Sequence, residues 1–271
     1  MINFNPPNLK TLIELYDSFS GIKFFEKNHT YEINGEPCPI SVSGLISRYE
    51  KPFDSKTIAA RVAKKEKVPV EQILEKWEYN KNYSCHKGSE FHLYVENFLE
   101  RRFAPINRES IIEFISGSAG YNKEDLENYY IEMATLIRNF KNFYEWWKED
   151  HILVKSEFVV GDKKSKICGT IDNLSYNKRT NEFAIFDYKT NKKINKKNDY
   201  NQKMLEPFDH IDKCELAKYS LQLWLYSLIF ERNSPFKIGY TGIVWVAGQD
   251  DYELINPLDY RKEAAEMLQS V

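Results

Sequence analysis

Cys168-Gly169-Thr170-Ile171-Asp172 and, further on, Phe186-Asp187-Tyr188-Lys189-Thr190 read as parts of two neighbouring strands of one sheet. Residues two apart on a strand share a face. Asp187 and Lys189 therefore point one way, with Phe183 and Ile185 ahead of them as anchors, while Phe186 and Tyr188 point the other. The turn-forming stretch 177–181 separates the two runs, so they can pair as a hairpin. That pairing sets Asp172, 15 residues before Asp187, nearly opposite it.

Outward from this pair the chain keeps the same texture. Residues 152–160, 166–176 and 182–190 are short β-rich runs, followed by a lysine-rich loop and a helix over about 213–231. Strands return at 237–247 and 252–256, and a short helix closes the chain. Upstream, residues 23–46 read as a hairpin turning at Asn34-Gly35, then a helix for which Ser41 and Ser43 are both suitable N-caps. Residues 55–102 are helical with interruptions, in three apolar stripes: Ile58 to Ala63, Val70 to Trp77 and Phe91 to Leu99. A polar loop over 103–122 leads to a long helix over about 124–149. The order predicts an α/β (α+β) class: residues 1–150 a helical front with an N-terminal hairpin, 151–271 a sheet core, together one domain.

The 271 residues carry a formal charge of −2 with a pI near 6.3. This excludes a uniformly basic coat but not a local basic groove. No run approaches a membrane-spanning length and the first ten residues lack the apolar core of a signal peptide, so a cytoplasmic protein with no membrane partner is expected. Cys38, Cys85, Cys168 and Cys214 are scattered without the spacing of a zinc or iron–sulfur ligand pair.

Carboxylates about 5 Å apart across a ladder repel each other unless a cation lies between them. For Asp172 and Asp187 the fitting cation is Mg2+ or Mn2+, with Lys189 placed to orient water or to offset charge on a phosphoryl group. Read alone, Asp-x-Lys also fits the solvent face of an amphipathic strand. Three further groups keep it company. His92 and Glu96 stand one helical turn apart, as a further metal ligand or as a surface pair. Gln222 and Tyr226 repeat that spacing on the late helix, as a polar edge facing the strands or as incidental polar residues. Glu157, in the strand before Asp172, is a metal-facing carboxylate or an exposed one.

Taken in order, Gly88-x-x-x-His92, Gly169-Thr-Ile-Asp172, Asp187-Tyr-Lys189-Thr and Gln222-x-x-x-Tyr226 resemble the RecB-like branch of the PD-(D/E)XK nucleases. That branch includes phage exonucleases, the Cas4 proteins and the mitochondrial genome maintenance exonuclease. The stretch from Tyr31 through Ser41-Val-Ser43 to Leu45-Ile46 resembles the front of the phage and mitochondrial members, and the likeness runs from about residue 29 to 247. The resemblance implies a central mixed sheet flanked by helices. It implies metal ligation by His92, Asp172, Asp187 and the Tyr188 carbonyl, with Lys189 as the catalytic lysine. Gln222 and Tyr226 would shape the site or hold the DNA backbone. Ile171 stands where the family name has proline, and the cluster-binding cysteines of some members are absent, so no iron–sulfur cluster is expected.

Beside such a site, Lys192, Lys193, Lys196 and Lys197, with Lys203 beyond and Asp199 opposing them, read as an electrostatic guide for a phosphate backbone, or simply as a solvated loop. Lys163, Lys164 and Lys166 would extend the patch, and aromatic residues of the front either stack on unpaired bases or, for most of them, belong to the core. The leading expectation is a Mg2+- or Mn2+-dependent deoxyribonuclease acting on single- or double-stranded DNA, an exonuclease, with a helicase or recombination protein as partner. The alternatives are a structure-specific or restriction-like endonuclease and a catalytically silent nucleic-acid-binding module.

Overall fold

The computed structural model describes residues 7–103, 105–118, 123–198 and 200–271. The chain divides into two compact units, one of residues 1–50 with 139–271, the other of residues 51–138. Residues 7–50, grouped by sequence with the helical front, therefore belong to the same compact unit as the sheet. No helix among the described residues is long and apolar enough to cross a membrane.

The sheet unit opens with α1 (Leu9–Phe19), capped by the Asn8 side chain accepting from the Thr11 amide. Strands β1 (Ile22–Phe25), β2 (Thr30–Ile33) and β3 (Glu36–Pro37) form a small antiparallel sheet. Asn34 and Gly35, at φ 54° and 85°, make its tight turn where the sequence signals one. The two-residue strand β4 (Ile40–Ser41) runs into α2 (Val42–Arg48), and of the two candidate caps it is Ser41 that accepts from the Gly44 amide.

The main sheet is mixed, and helices flank it. Its elements are β5 (His151–Asp162), β6 (Ile167–Asn177), β7 (Glu182–Lys189), β8 (Ile238–Trp245) and β9 (Glu253–Ile255), with β4 at the edge. β7 and β8 are parallel and need a crossover, which α7 (Glu215–Asn233) supplies; α8 (Arg261–Gln269) follows β9. The core lies on both faces. Phe183 meets Phe230 of α7 at 5.4 Å between ring centroids, while Phe186 and Tyr188 meet Phe143 at 5.5 and 5.9 Å. Phe143 lies in the last stretch of α6 (Lys123–Asp150), the part belonging to the sheet unit.

One detail of the sheet positions the site. β5 pairs along the length of β6, but the opposite edge of β6 is divided. β4 takes Ile167 and Cys168, β7 takes Asn173 to Asn177, and the ladder with β7 ends at Asn173↔Phe186. Beyond that point β7 continues beside β8 through Lys189. Gly169 to Asp172 thus lie where two strands part, the kind of crevice in which open α/β sheets bind ligands.

The helical unit contains α3 (Ser55–Glu66), α4 (Val70–Leu99), α5 (Arg108–Ser116) and the first part of α6. The second and third stripes of the sequence reading belong to one 30-residue helix, α4. The polar middle hides this, because buried Lys87, ion-paired with Glu132, occupies a slot in the stripe that continues through Phe91, Val95 and Leu99. The stretch expected to be a loop contains α5, nine residues anchored by buried Ile111 and Ile115. Nine residues are too short a window for the period to stand out, and Ile112, an apolar residue left 48% exposed, blurs the stripe. Residues 104 and 119–122 of that stretch lie outside the described residues.

Candidate active site

Asp187 and Lys189 share the α7-facing side of β7, as strand periodicity requires. Asp187 is 1% exposed, and Lys189 Nζ lies 2.6 Å from its Oδ2. Burial works against the Lys189 ammonium, but Asp187 and Asp172 overcome that penalty and hold its pKa above the ordinary lysine value. Lys189 is therefore a cation and a hydrogen-bond donor at neutral pH.

Three residues of α7 reach this ammonium directly or in sequence. Gln222 Oε1 accepts from Lys189 Nζ at 3.4 Å, and Gln222 Nε2 donates to Tyr226 Oη at 2.9 Å. The ring of Tyr219 lies under the ammonium, 4.4 Å from Nζ to centroid. Residues 219, 222 and 226 are spaced to lie on one helical face. Tyr226 is 5% exposed, and burial raises its phenol well above the ordinary range, so it stays protonated. A Cβ at position 169 would lie 2.5 Å from Tyr226 Cε1, which explains the glycine of the Gly-Thr-Ile-Asp motif.

Asp172 does not complete a backbone pair with Asp187. Its Oδ2 accepts from the Tyr188 amide at 2.8 Å, so a side chain bridges the parted strands where a carbonyl would otherwise serve. On the reverse face Tyr188 is buried, its hydroxyl accepting from Asn173 Nδ2 at 2.8 Å, and Ser175 joins Asn173 to Trp147. This network holds the peptide between Asp187 and Lys189.

Glu157 faces Asp172 from β5, and their carboxylate oxygens approach within 4.8 Å. The ladder registers Ser156↔Asn173 and Phe158↔Ile171 but skips the pair between them, and Glu157 has a left-handed φ of 49°. Such a conformation in a non-glycine residue costs on the order of 1–3 kcal/mol and concentrates at functional sites. Ser156 Oγ donates to the Asp172 carbonyl at 3.0 Å, steadying the interrupted ladder.

Asp187 and Asp172 both act on the charge of Lys189, and Glu157 lies beside Asp172. Their donors are hard oxygens, which suit Mg2+ or Mn2+ rather than a soft metal. His92 and Glu96 lie in the helical unit on α4, both half-buried, and Glu96 is ion-paired with Arg102. Gly88 of the same motif lies within α4, one turn before His92.

The loop after β7 exposes Lys192, Lys193, Lys196 and Lys197 around the buried anchor Ile194. Lys196 is 3.6 Å from Glu253, and Lys203 is ion-paired with Asp212. Lys163, Lys164 and Lys166 are exposed at the β5–β6 turn, with Lys166 on Glu36. Asp199 lies outside the described residues. Sequence reasoning overlooked Tyr219; its spacing three residues before Gln222 was the available signal.

No family model matches the chain, and no curated protein sequence matches it. Among solved structures, it is similar to a crystal structure described as a "putative exonuclease" from Eubacterium rectale, at 15% identity and a TM-score of 0.37, covering 69% of this chain and 64% of that one. The match spans less than two thirds of that protein's length.

Proposed function

We propose that this chain is a Mg2+- or Mn2+-dependent deoxyribonuclease of the RecB-like type that degrades DNA from its ends. The observation that carries the reading is Lys189 held on buried Asp187 at the point where β6 and β7 part, with Asp172 joined to the same β7 peptide. A binding module has no need of a buried carboxylate–lysine pair facing further carboxylates.

Asp172 and Asp187 are the ligands, with Glu157 beside them. The Tyr188 carbonyl and His92 join the set on the strength of the sequence motifs. A divalent cation there would supply positive charge to a phosphoryl oxygen and acidify water. Lys189 donates a hydrogen bond toward the reacting phosphate and offsets the charge that develops on it. Gln222 and Tyr226 keep the lysine extended along α7. The exposed lysines 192, 193, 196 and 197 draw the DNA backbone toward the site. A helicase or recombination protein is the fitting partner, and no iron–sulfur cluster takes part, so anaerobically purified protein is colourless.

The test is incubation with Mg2+ or Mn2+ of end-labelled linear DNA and of covalently closed single- and double-stranded circles. Linear DNA is expected to shorten while circles persist. Nicking of circles at a comparable rate would mean an endonuclease, and no metal-dependent cleavage of any substrate would sink the proposal.

A further inference from the structure

We infer that Tyr219 is a positioning residue for Lys189, its ring serving as the floor on which the ammonium rests. The inference rests on the nuclease reading for its consequence in turnover, but not for the contact itself.

Lysine has four rotatable side-chain bonds, and an ammonium held only by carboxylates follows whatever cation or phosphate competes for them. Lys189 has the carboxylate of Asp187 at 2.6 Å, the amide oxygen of Gln222 at 3.4 Å and the Tyr219 ring at 4.4 Å. The first two are polar acceptors that a bound cation or a substrate phosphate can draw away. The π face neither ligates a hard cation nor donates to phosphate, so it is the contact that survives when the site fills. The ring is itself fixed. Tyr219 Oη donates to Asn191 Oδ1 at 2.8 Å, and the Asn191 carbonyl accepts from Trp245 Nε1 at 2.7 Å. Asn191 follows Lys189 by two residues, at the root of the lysine loop, and Trp245 pairs with Lys189 across the β7–β8 ladder. The chain from Trp245 through Asn191 to Tyr219 therefore sets the ring height relative to the backbone that carries Lys189. It also predicts graded effects: losing the hydroxyl loosens the ring's height, but packing against the core keeps a π face under the ammonium, whereas losing the ring removes the floor.

The full-length protein, labelled with 13C,15N-lysine, tests the contact without reference to activity. A methylene chain over an aromatic face is shifted upfield by the ring current. The Lys189 Hε resonance, assigned by its disappearance in Lys189→Arg, is expected upfield of the exposed lysines. It should stay there in Tyr219→Phe and move to the common lysine position in Tyr219→Leu. In turnover on linear DNA, Tyr219→Phe should stay within a few-fold of wild type. Tyr219→Leu should lose about 10–100-fold in kcat with KM little changed, the signature of a displaced reacting group. A wild-type Lys189 resonance among the exposed lysines overturns the inference, and this holds even if Tyr219→Leu fails to fold. So does a folded Tyr219→Leu protein with wild-type kcat. An upfield Lys189 that responds to the variants as expected, in a protein that cleaves no DNA, upholds the contact and removes the nuclease reading instead.

Discussion

The Tyr188 amide donates to Asp172 Oδ2 at 2.8 Å, across a point where the β6–β7 ladder has already ended. Asp172 therefore has a structural duty beside its role as a ligand, and two substitutions separate them. Asparagine keeps an acceptor for the amide; alanine does not. Asp172→Asn is expected to melt near the wild type while losing cleavage and weakening Mn2+ binding by calorimetry. Asp172→Ala should lose an additional ~1–3 kcal/mol, the cost of a half-buried donor left unmade. Equal stability of the two variants would remove the structural role. Undiminished Mn2+ binding in Asp172→Asn, and likewise in Asp187→Asn and His92→Ala, would place the metal elsewhere.

Lys189→Ala should reduce cleavage at least ~100-fold, as when a donor to a developing oxyanion is deleted. DNA affinity measured with Ca2+ should stay close to wild type, since the exposed lysine loop remains. The substitution also strips a cation from Asp187, which is 1% exposed. Breaking a buried pair costs up to ~3–5 kcal/mol, so the metal-free variant should melt well below wild type. Added Mn2+ should then raise its melting temperature more than it raises that of the wild type. An equal or smaller increase would argue that no divalent cation sits beside Asp187.

The main sheet was legible in the sequence because β5 to β9 each alternate or run apolar between turn residues, and α7 because it is apolar almost all round. Asp187, Lys189, Gln222 and Tyr226 came with them, since period 2 and period 3.6 decide which residues share a face. The remainder depends on three-dimensional context. Nothing in a glutamate signals the left-handed backbone at Glu157, which coincides with the skipped pair of the β5–β6 ladder. Two-residue β4 is too short to carry a pattern, and Lys87 conceals the unity of α4 by filling an apolar slot with a buried ion pair. Tyr219 reads as one more core aromatic until the ammonium is seen above it.

Gly169 gives the third prediction. Gly169→Ala adds a methyl 2.5 Å from Tyr226 Cε1 and 3.2 Å from Val42 Cγ2, both on well-packed elements. Overpacking of this kind costs about 1–3 kcal/mol, and here it also pushes Tyr226 away from Gln222. A lower melting temperature and reduced turnover are expected together. Tyr226→Leu in the same chain should restore much of the stability but not the turnover. A Gly169→Ala protein as stable and as active as wild type would show that Tyr226 has room to move.

Acid should weaken each unit through one histidine. In the helical unit, burial lowers the pKa of His86, opposed by Glu90; its Nδ1 is 2.8 Å from Tyr129 Oη and its Nε2 3.1 Å from Ser110 Oγ, with Phe114 stacked at 4.2 Å. In the sheet unit, burial likewise lowers the pKa of His151, against the Trp147 carbonyl and Asp150 and with help from Lys178. His151 Nδ1 donates to the Trp147 carbonyl at 3.2 Å and Nε2 accepts from Asn177 Nδ2 at 3.1 Å, so a second proton on the ring would face a donor. For both rings the unfolded chain binds the proton more readily than the folded one. The stability they contribute is therefore complete above the unfolded pKa, about 6.5, and is lost as pH falls through the lower folded value. Urea unfolding at pH 7.5 and pH 5 should show a smaller acid loss in His86→Gln and in His151→Gln than in the wild type. His151→Gln should act on the transition reported by Trp147, His86→Gln on that of the helical unit. An acid loss identical in all three proteins would mean that other groups, carboxylates above all, account for it.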